Sequence, residues 1–187
     1  MERRDAVKNI VLAFGSTIAI PQLLSILTSC SHKKAATNYL CIHKKQSTLI
    51  RLLSQILLPV PQVSTKENID VVSFLDQMLF YTASEADKEF FIKGNEEFEQ
   101  KFYATYAKKV TEGSIEEVKA LLDKFLTLSE EEEENTRLLL QENIASLPTD
   151  KKSPYLIYTF LTAVRYYCLF GYCTSKAYSL TPNIPLY

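Results

Sequence analysis

S-P-Y-L-I-Y-T-F-L-T-A-V-R-Y-Y-C-L-F-G-Y-C-T-S, residues 153–175, is the stretch that decides the fold class. Ser153 is a good N-cap, and Pro154 sits where its missing N–H costs least, at the first helical position. Gly171 supplies a left-handed residue to end the helix. The sixteen residues between, Tyr155 to Phe170, hold one charge, Arg165. Thr159, Thr162 and Arg165 recur every three residues and form a narrow polar stripe on an otherwise apolar surface. A helix apolar nearly all round is either buried among other helices or inserted in a membrane. This one is short for a span and carries an arginine, so it reads as the central helix of a helical domain. On that reading Arg165 is expected to pair with a carboxylate, because a buried unpaired charge is too costly.

Working outward, the preceding chain supplies the helices that would surround it. Gln46 to Leu58 places Leu49, Leu52, Leu53, Ile56 and Leu57 at helical spacing, and Pro59 and Pro61 stop it. Ile69 to Tyr81 is a second amphipathic segment, with Val72, Leu75, Met78 and Leu79 on one face. Ser84 with Asp87 three residues on opens a third, expected to run to Val110 and to carry Phe90, Phe91, Phe98, Phe102 and Tyr106. Ser114 with Glu117 caps a fourth, with Val118, Leu121, Leu122 and Phe125 apolar. Ser129 opens a fifth, expected to continue through Leu138, Leu139, Leu140, Ile144 and Leu147 to Pro148. The acid run Glu130 to Glu134 fits the positive end of that helix and reads as a favourable first turn, not as a cation site. No stretch alternates with the two-residue period of a strand. The expectation is an all-α single domain of about six helices around the apolar C-terminal helix.

Composition narrows function by exclusion. The chain has 187 residues with a formal net charge of -1, so no basic field argues for nucleic acid. Its four glycines, Gly15, Gly94, Gly113 and Gly171, are too far apart for a phosphate-cradling loop. Both histidines, His32 and His43, lie near the N-terminus in polar sequence, which leaves no histidine in the body for a zinc site or a Ser-His-Asp triad. No catalytic, cofactor-binding or metal-binding residue is assigned, and catalysis by this chain alone is not expected.

Residues 1–29 read as an address and not as a fold element. Arg3, Arg4 and Lys8 form a positive region, Ile10 to Ile20 is apolar but diluted by Gly15, Ser16 and Thr17, and Leu27-Thr28-Ser29 leads to Cys30. Arg3-Arg4-Asp5-Ala6-Val7-Lys8 resembles the twin-arginine export signal. Leu27 to Cys30 resembles a bacterial lipobox, which implies cleavage before Cys30 and lipid attachment to it. The alternative is an ordinary membrane anchor with a chance cysteine. Residues 30–45 would then be a tether and residues 46–187 the helical domain. The expected location is the bacterial cell envelope, on the periplasmic side of a membrane, held by the lipid; which membrane is open.

Cys168 and Cys173 lie five apart, with Cys41 as a spare partner, and their pairing is open between a disulfide and buried thiols. Seven of the eleven tyrosines fall at or after Tyr155. They are either core residues with hydroxyls reaching the surface or a partner-binding face. For the second reading the candidates are Tyr172, Thr174, Ser175 and Tyr178, placed beyond a helix that ends at Gly171.

Several of these segments together resemble one family. Phe170-Gly171-Tyr172-Cys173-Thr174-Ser175, at the end of the long apolar helix, is similar to the L-G-Y-F-T-S segment of the gluconate 2-dehydrogenase subunit 3 family. Leu53 to Pro59, followed by Val72-Ser73-Phe74-Leu75-Asp76-Gln77-Met78-Leu79, resembles that family's I-I-P and V-x-x-F-I-D-x-M-L pattern. The export-like leader also fits. The resemblance implies a small accessory subunit of a periplasmic, membrane-associated dehydrogenase. Its partners would be an FAD-dependent large subunit of the glucose-methanol-choline type and a cytochrome c subunit, so that FAD and haem reside in the partners and not in this chain. The competing expectation is a stand-alone envelope lipoprotein acting as a ligand-binding or scaffold module.

Overall fold

The computed structural model describes residues 39–58 and 70–175. Cys30, Arg3, Arg4, Lys8 and Tyr178, with the expected signal peptide, lie outside the described residues. Among the described residues there are six α-helices and no strand: α1 (Lys44–Leu57), α2 (Val71–Thr82), α3 (Glu85–Tyr106), α4 (Ile115–Leu126), α5 (Glu130–Gln141) and α6 (Thr149–Thr174). Single 3₁₀ turns, Val110–Glu112 and Ile144–Ser146, sit in the links before α4 and before α6.

The helix starts follow local chemistry. Ser84, Ser114 and Ser129 each accept a hydrogen bond from the backbone N–H three residues on, and the acid at that third position reaches back to the serine's own N–H. Asp70 caps α2 in the same way, accepting from the N–H of Ser73 at 3.2 Å. Each such cap satisfies donors that the first helical turn would otherwise leave bare.

α6 is the central element. It packs most extensively on α3, then on α2, with α1 and α5 at its flanks. The α3 contact is built on Phe91 and Phe98, whose rings lie 5.0 Å and 6.5 Å from that of Phe160. The two backbones come together at Gly94, where an added Cβ would run into the Leu156 carbonyl oxygen and sit 2.6 Å from Phe160 Cβ. Leu49, Ile50 and Leu53 of α1, Leu75 of α2, Phe102 of α3 and Val118, Leu121 and Leu122 of α4 close the core around Ile157, Leu161, Val164 and Cys168.

Several expected boundaries move. α6 starts at Thr149, not at Ser153, so Pro154 lies inside it. Ser153 caps nothing; its hydroxyl donates to Glu97 Oε2 on α3 at 2.6 Å. The polar run Thr149 to Lys152 is the largely solvent-facing first turn of this helix, whose apolar part begins where it meets the body. Gly171 does not end α6 either, since the helix continues to Thr174. The glycine is there for space: a Cβ would come within 2.9 Å of the Phe74 ring. α3 stops at Tyr106, where Ala107 adopts the left-handed conformation at φ 55°, and does not reach Val110. α5 ends at Gln141 and not at Pro148. Arg165 is exposed and makes no ion pair among the described residues. The expected carboxylate partner is absent because the polar stripe faces water and the guanidinium needs no neutralising neighbour.

Candidate partner-docking surface

Four residues were expected to form a surface past the last helix. Because α6 runs through Gly171, Tyr172 falls four residues after Cys168 and eight after Val164, which puts it on the face that holds the core. It is buried, 6% exposed. This corrects the expectation that Tyr172 lies at the surface: the chain does not leave the helix where the glycine stands. Thr174 and Ser175 are half-buried, and their hydroxyls turn back onto their own helix. Thr174 Oγ1 donates to the Phe170 carbonyl at 2.7 Å and Ser175 Oγ to the Tyr172 carbonyl at 2.6 Å.

The remaining aromatic residues of α6 are mostly half-buried packing groups. Tyr166 stacks on Phe170 at 5.9 Å, and Phe170 leans on Phe74 at 6.0 Å. The Tyr167 hydroxyl lies 3.3 Å from Thr82 Oγ1 on α2. Exposed apolar groups occur elsewhere: Leu40, Phe80 and Tyr81 on one side, Tyr103 and Ile115 on α3 and α4, and Leu138 on α5. Phe80 and Tyr81 meet edge to face at 5.0 Å, and Lys88 Nζ lies 5.3 Å from the centre of the Phe80 ring.

The best-built polar arrangement is structural. Asp76 on α2 is buried, 3% exposed. Its carboxylate accepts three backbone N–H bonds from the segment entering α1: Leu40 at 2.6 Å, Cys41 at 2.8 Å and Ile42 at 2.8 Å. The end of the expected tether is therefore part of the folded body, with Ile42 in the core. In the sequence Asp76 stands only as one letter of the family pattern, which does not disclose this role. A lone acid in the apolar run Val71 to Leu79 was the available signal, because a buried carboxylate must find donors.

Burial pushes the Cys168 thiol up to about 12, and burial also raises Cys173 and Cys41, with the Asp76 carboxylate adding to the shift at Cys41. Such thiols carry little thiolate at neutral pH and are poor nucleophiles. Among the described residues Cys41, Cys168 and Cys173 are free thiols. Among the described residues no group of three or more His, Cys, Asp or Glu side chains is arranged to hold a metal ion, and no helix is long and apolar enough to cross a membrane.

The match that identifies this arrangement of helices extends over nearly the whole described body: the model of the family gluconate 2-dehydrogenase subunit 3 matches residues 44–181. The chain belongs to the gluconate 2-dehydrogenase subunit 3 family. No curated protein and no solved structure matches it. In this subunit 3 chain the segments that carried the resemblance turn out to be one packed unit. Leu53, Phe74, Leu75 and Leu79 are all buried, and Phe74 from the first part of the pattern rests on Gly171 from the second. The signature is thus a record of helix packing between α2 and α6, with Asp76 securing the chain that leads into α1.

Proposed function

We propose that this chain is a non-catalytic accessory subunit of a membrane-associated, FAD-dependent dehydrogenase of the gluconate 2-dehydrogenase type. Its role is to aid export, assembly or anchoring of the flavoprotein on the periplasmic side of the cell envelope. The observation that carries the reading is the family match across residues 44–181. It is supported by how the polar side chains are used: the serines and acids at helix starts are engaged in caps, and Asp76 holds backbone. FAD and haem belong, on this reading, to the flavoprotein and to a cytochrome c subunit. The leader with Arg3, Arg4 and Lys8 would direct export through the twin-arginine route, and Cys30 would carry the lipid.

The test is co-purification from detergent-solubilised membranes. A tagged chain should bring down a flavoprotein, with flavin absorbance in the complex and none on the chain purified alone. A chromophore held by the isolated chain would overturn the accessory role. So would a flavoprotein that reaches the envelope and oxidises its substrate unimpaired when this chain is deleted.

A further inference from the structure

α5 is anomalous in this fold. Its twelve residues contain no buried side chain. Isolated helices of that length are marginal in water, so packing against something is what normally keeps them formed. Here the Ser129–Glu132 cap and the Glu134–Arg137 pair help, and Leu139 and Leu140 are half-covered by the body. Leu138 remains 47% exposed. It stands on the wall of a groove of about 690 Å³ between α5 and the start of α6, lined also by Thr136, Leu139, Leu147, Pro148 and Lys151. Its apolar part is Leu138, Leu139, Leu147 and Pro148, and the polar Asn135, Ser146 and Glu142 complete the lining, while the outer wall is a half-packed helix.

Charge selects the occupant. Glu131, Asn135, Leu138 and Glu142 are spaced along one stripe of a helix surface, so carboxylates stand at both ends of the exposed leucine. Glu130, Glu131 and Glu133 are exposed and make no ion pair among the described residues.

We propose that this groove receives a basic amphipathic helix of a partner protein, with apolar residues against Leu138, Leu139 and Leu147 and Lys or Arg side chains against the α5 acids. The proposal deepens the accessory-subunit reading, and rests on it, by assigning the docking face to α5 and not to the end of α6. Helix-in-groove recognition joins apolar anchors, here Leu138, Leu139 and Leu147, to charge of opposite sign beside them, here Glu142 in the lining and the exposed acids of α5.

The experiment has two arms. In the first, the full chain is titrated with a synthetic Lys/Leu amphipathic helical peptide, its Glu/Leu counterpart and a Lys/Ser peptide of equal charge. The Lys/Leu peptide should bind best, shift the amide resonances of Leu138 and Leu147, and bind about tenfold more weakly to Leu138→Asp, as expected for a central apolar anchor. Triple replacement of Glu130, Glu131 and Glu133 by Gln should weaken it and flatten its salt dependence. Equal binding of the Glu/Leu peptide, indifference to Leu138→Asp, or self-association through α5 would each overturn the assignment. Circular dichroism of the variants shows that they remain folded, since Leu138 is already exposed. In the second arm the same variants are used to capture the flavoprotein. If wild type captures it and Leu138→Asp does so equally well, the groove is not the docking face. If wild type captures nothing while the peptide still seats at Leu138, the accessory reading fails and the groove stands.

Discussion

Removing the Asp76 carboxylate strands three backbone N–H groups, those of Leu40, Cys41 and Ile42. Ile42 is buried and cannot regain water; the other two are part-exposed and can do so in part. Hydrogen bonds to an ionised group are worth more than neutral ones, so Asp76→Ala should cost about 2–4 kcal/mol. A urea melt reads the loss, and amide exchange should place the loosening at residues 40–42. A variant that melts like wild type would mean that the segment is held by its apolar contacts alone. Asn95 is the opposite case. It is fully buried on α3, and among the described residues neither amide atom has a hydrogen-bond partner. An unmet buried amide costs free energy, and an apolar residue of similar volume does not. Asn95→Leu is therefore expected to raise stability by about 1 kcal/mol, and a drop in the melting temperature would show that the amide is satisfied.

Between elements, the α3–α6 contact is the tightest. Gly94→Ala would force the Leu156 carbonyl and Phe160 to retreat, and backbone cannot rotate away as a flexible side chain can. Overpacking of that kind costs about 1–3 kcal/mol, and the shift should appear as reduced amide protection along both helices. Capping sets a second prediction, on pH. The Lys108 ammonium at 2.8 Å, followed by the Ser114 N–H, holds Glu117 below its ordinary range. The Ser129 N–H, then its hydroxyl, does the same for Glu132. A carboxylate with a depressed folded value stabilises the fold above its unfolded value, and that contribution disappears as pH falls through the folded one. The first turns of α4 and α5 should therefore fray as pH drops below the usual glutamate range, seen as faster amide exchange at Glu117 and Glu132. Both acids are solvent-exposed, so the effect is local and salt-sensitive. Ser129→Ala should cost about 1 kcal/mol at neutral pH and reduce the acid sensitivity of α5 without abolishing it, because the residue 129 N–H that chiefly holds Glu132 stays in place.

At the scale of the molecule, the six helices of the described residues enclose a core of aliphatic and phenylalanine side chains, while the family match makes the chain a subunit 3. Anchoring by Cys30 is tested on the full chain. Cys30→Ala should release the protein from membranes or leave it unprocessed, with no incorporation of labelled fatty acid. Label retained in that variant would show that Cys30 is not the attachment point. The helix count and the all-α class were legible because capping boxes and apolar spacing are local properties that a few neighbouring residues settle. The candidate surface was legible only as a question, whether the late tyrosines face a core or a partner.

What the sequence by itself determined is therefore where helices form, since Ser84, Ser114 and Ser129 cap them whatever they later touch. The family resemblance was also readable there, because its letters are packing residues set at fixed helical spacing. Only the tertiary structure decided which way the long helix presents its residues. Gly171 reads as a terminator until Phe74 is seen to need the space, and Tyr172 reads as a surface residue until the helix carries it onto the core face. Arg165 turns outward and Asp76 turns inward for the same physical reason. Whether a charge meets water or donors depends on elements tens of residues away, and no local pattern encodes their position.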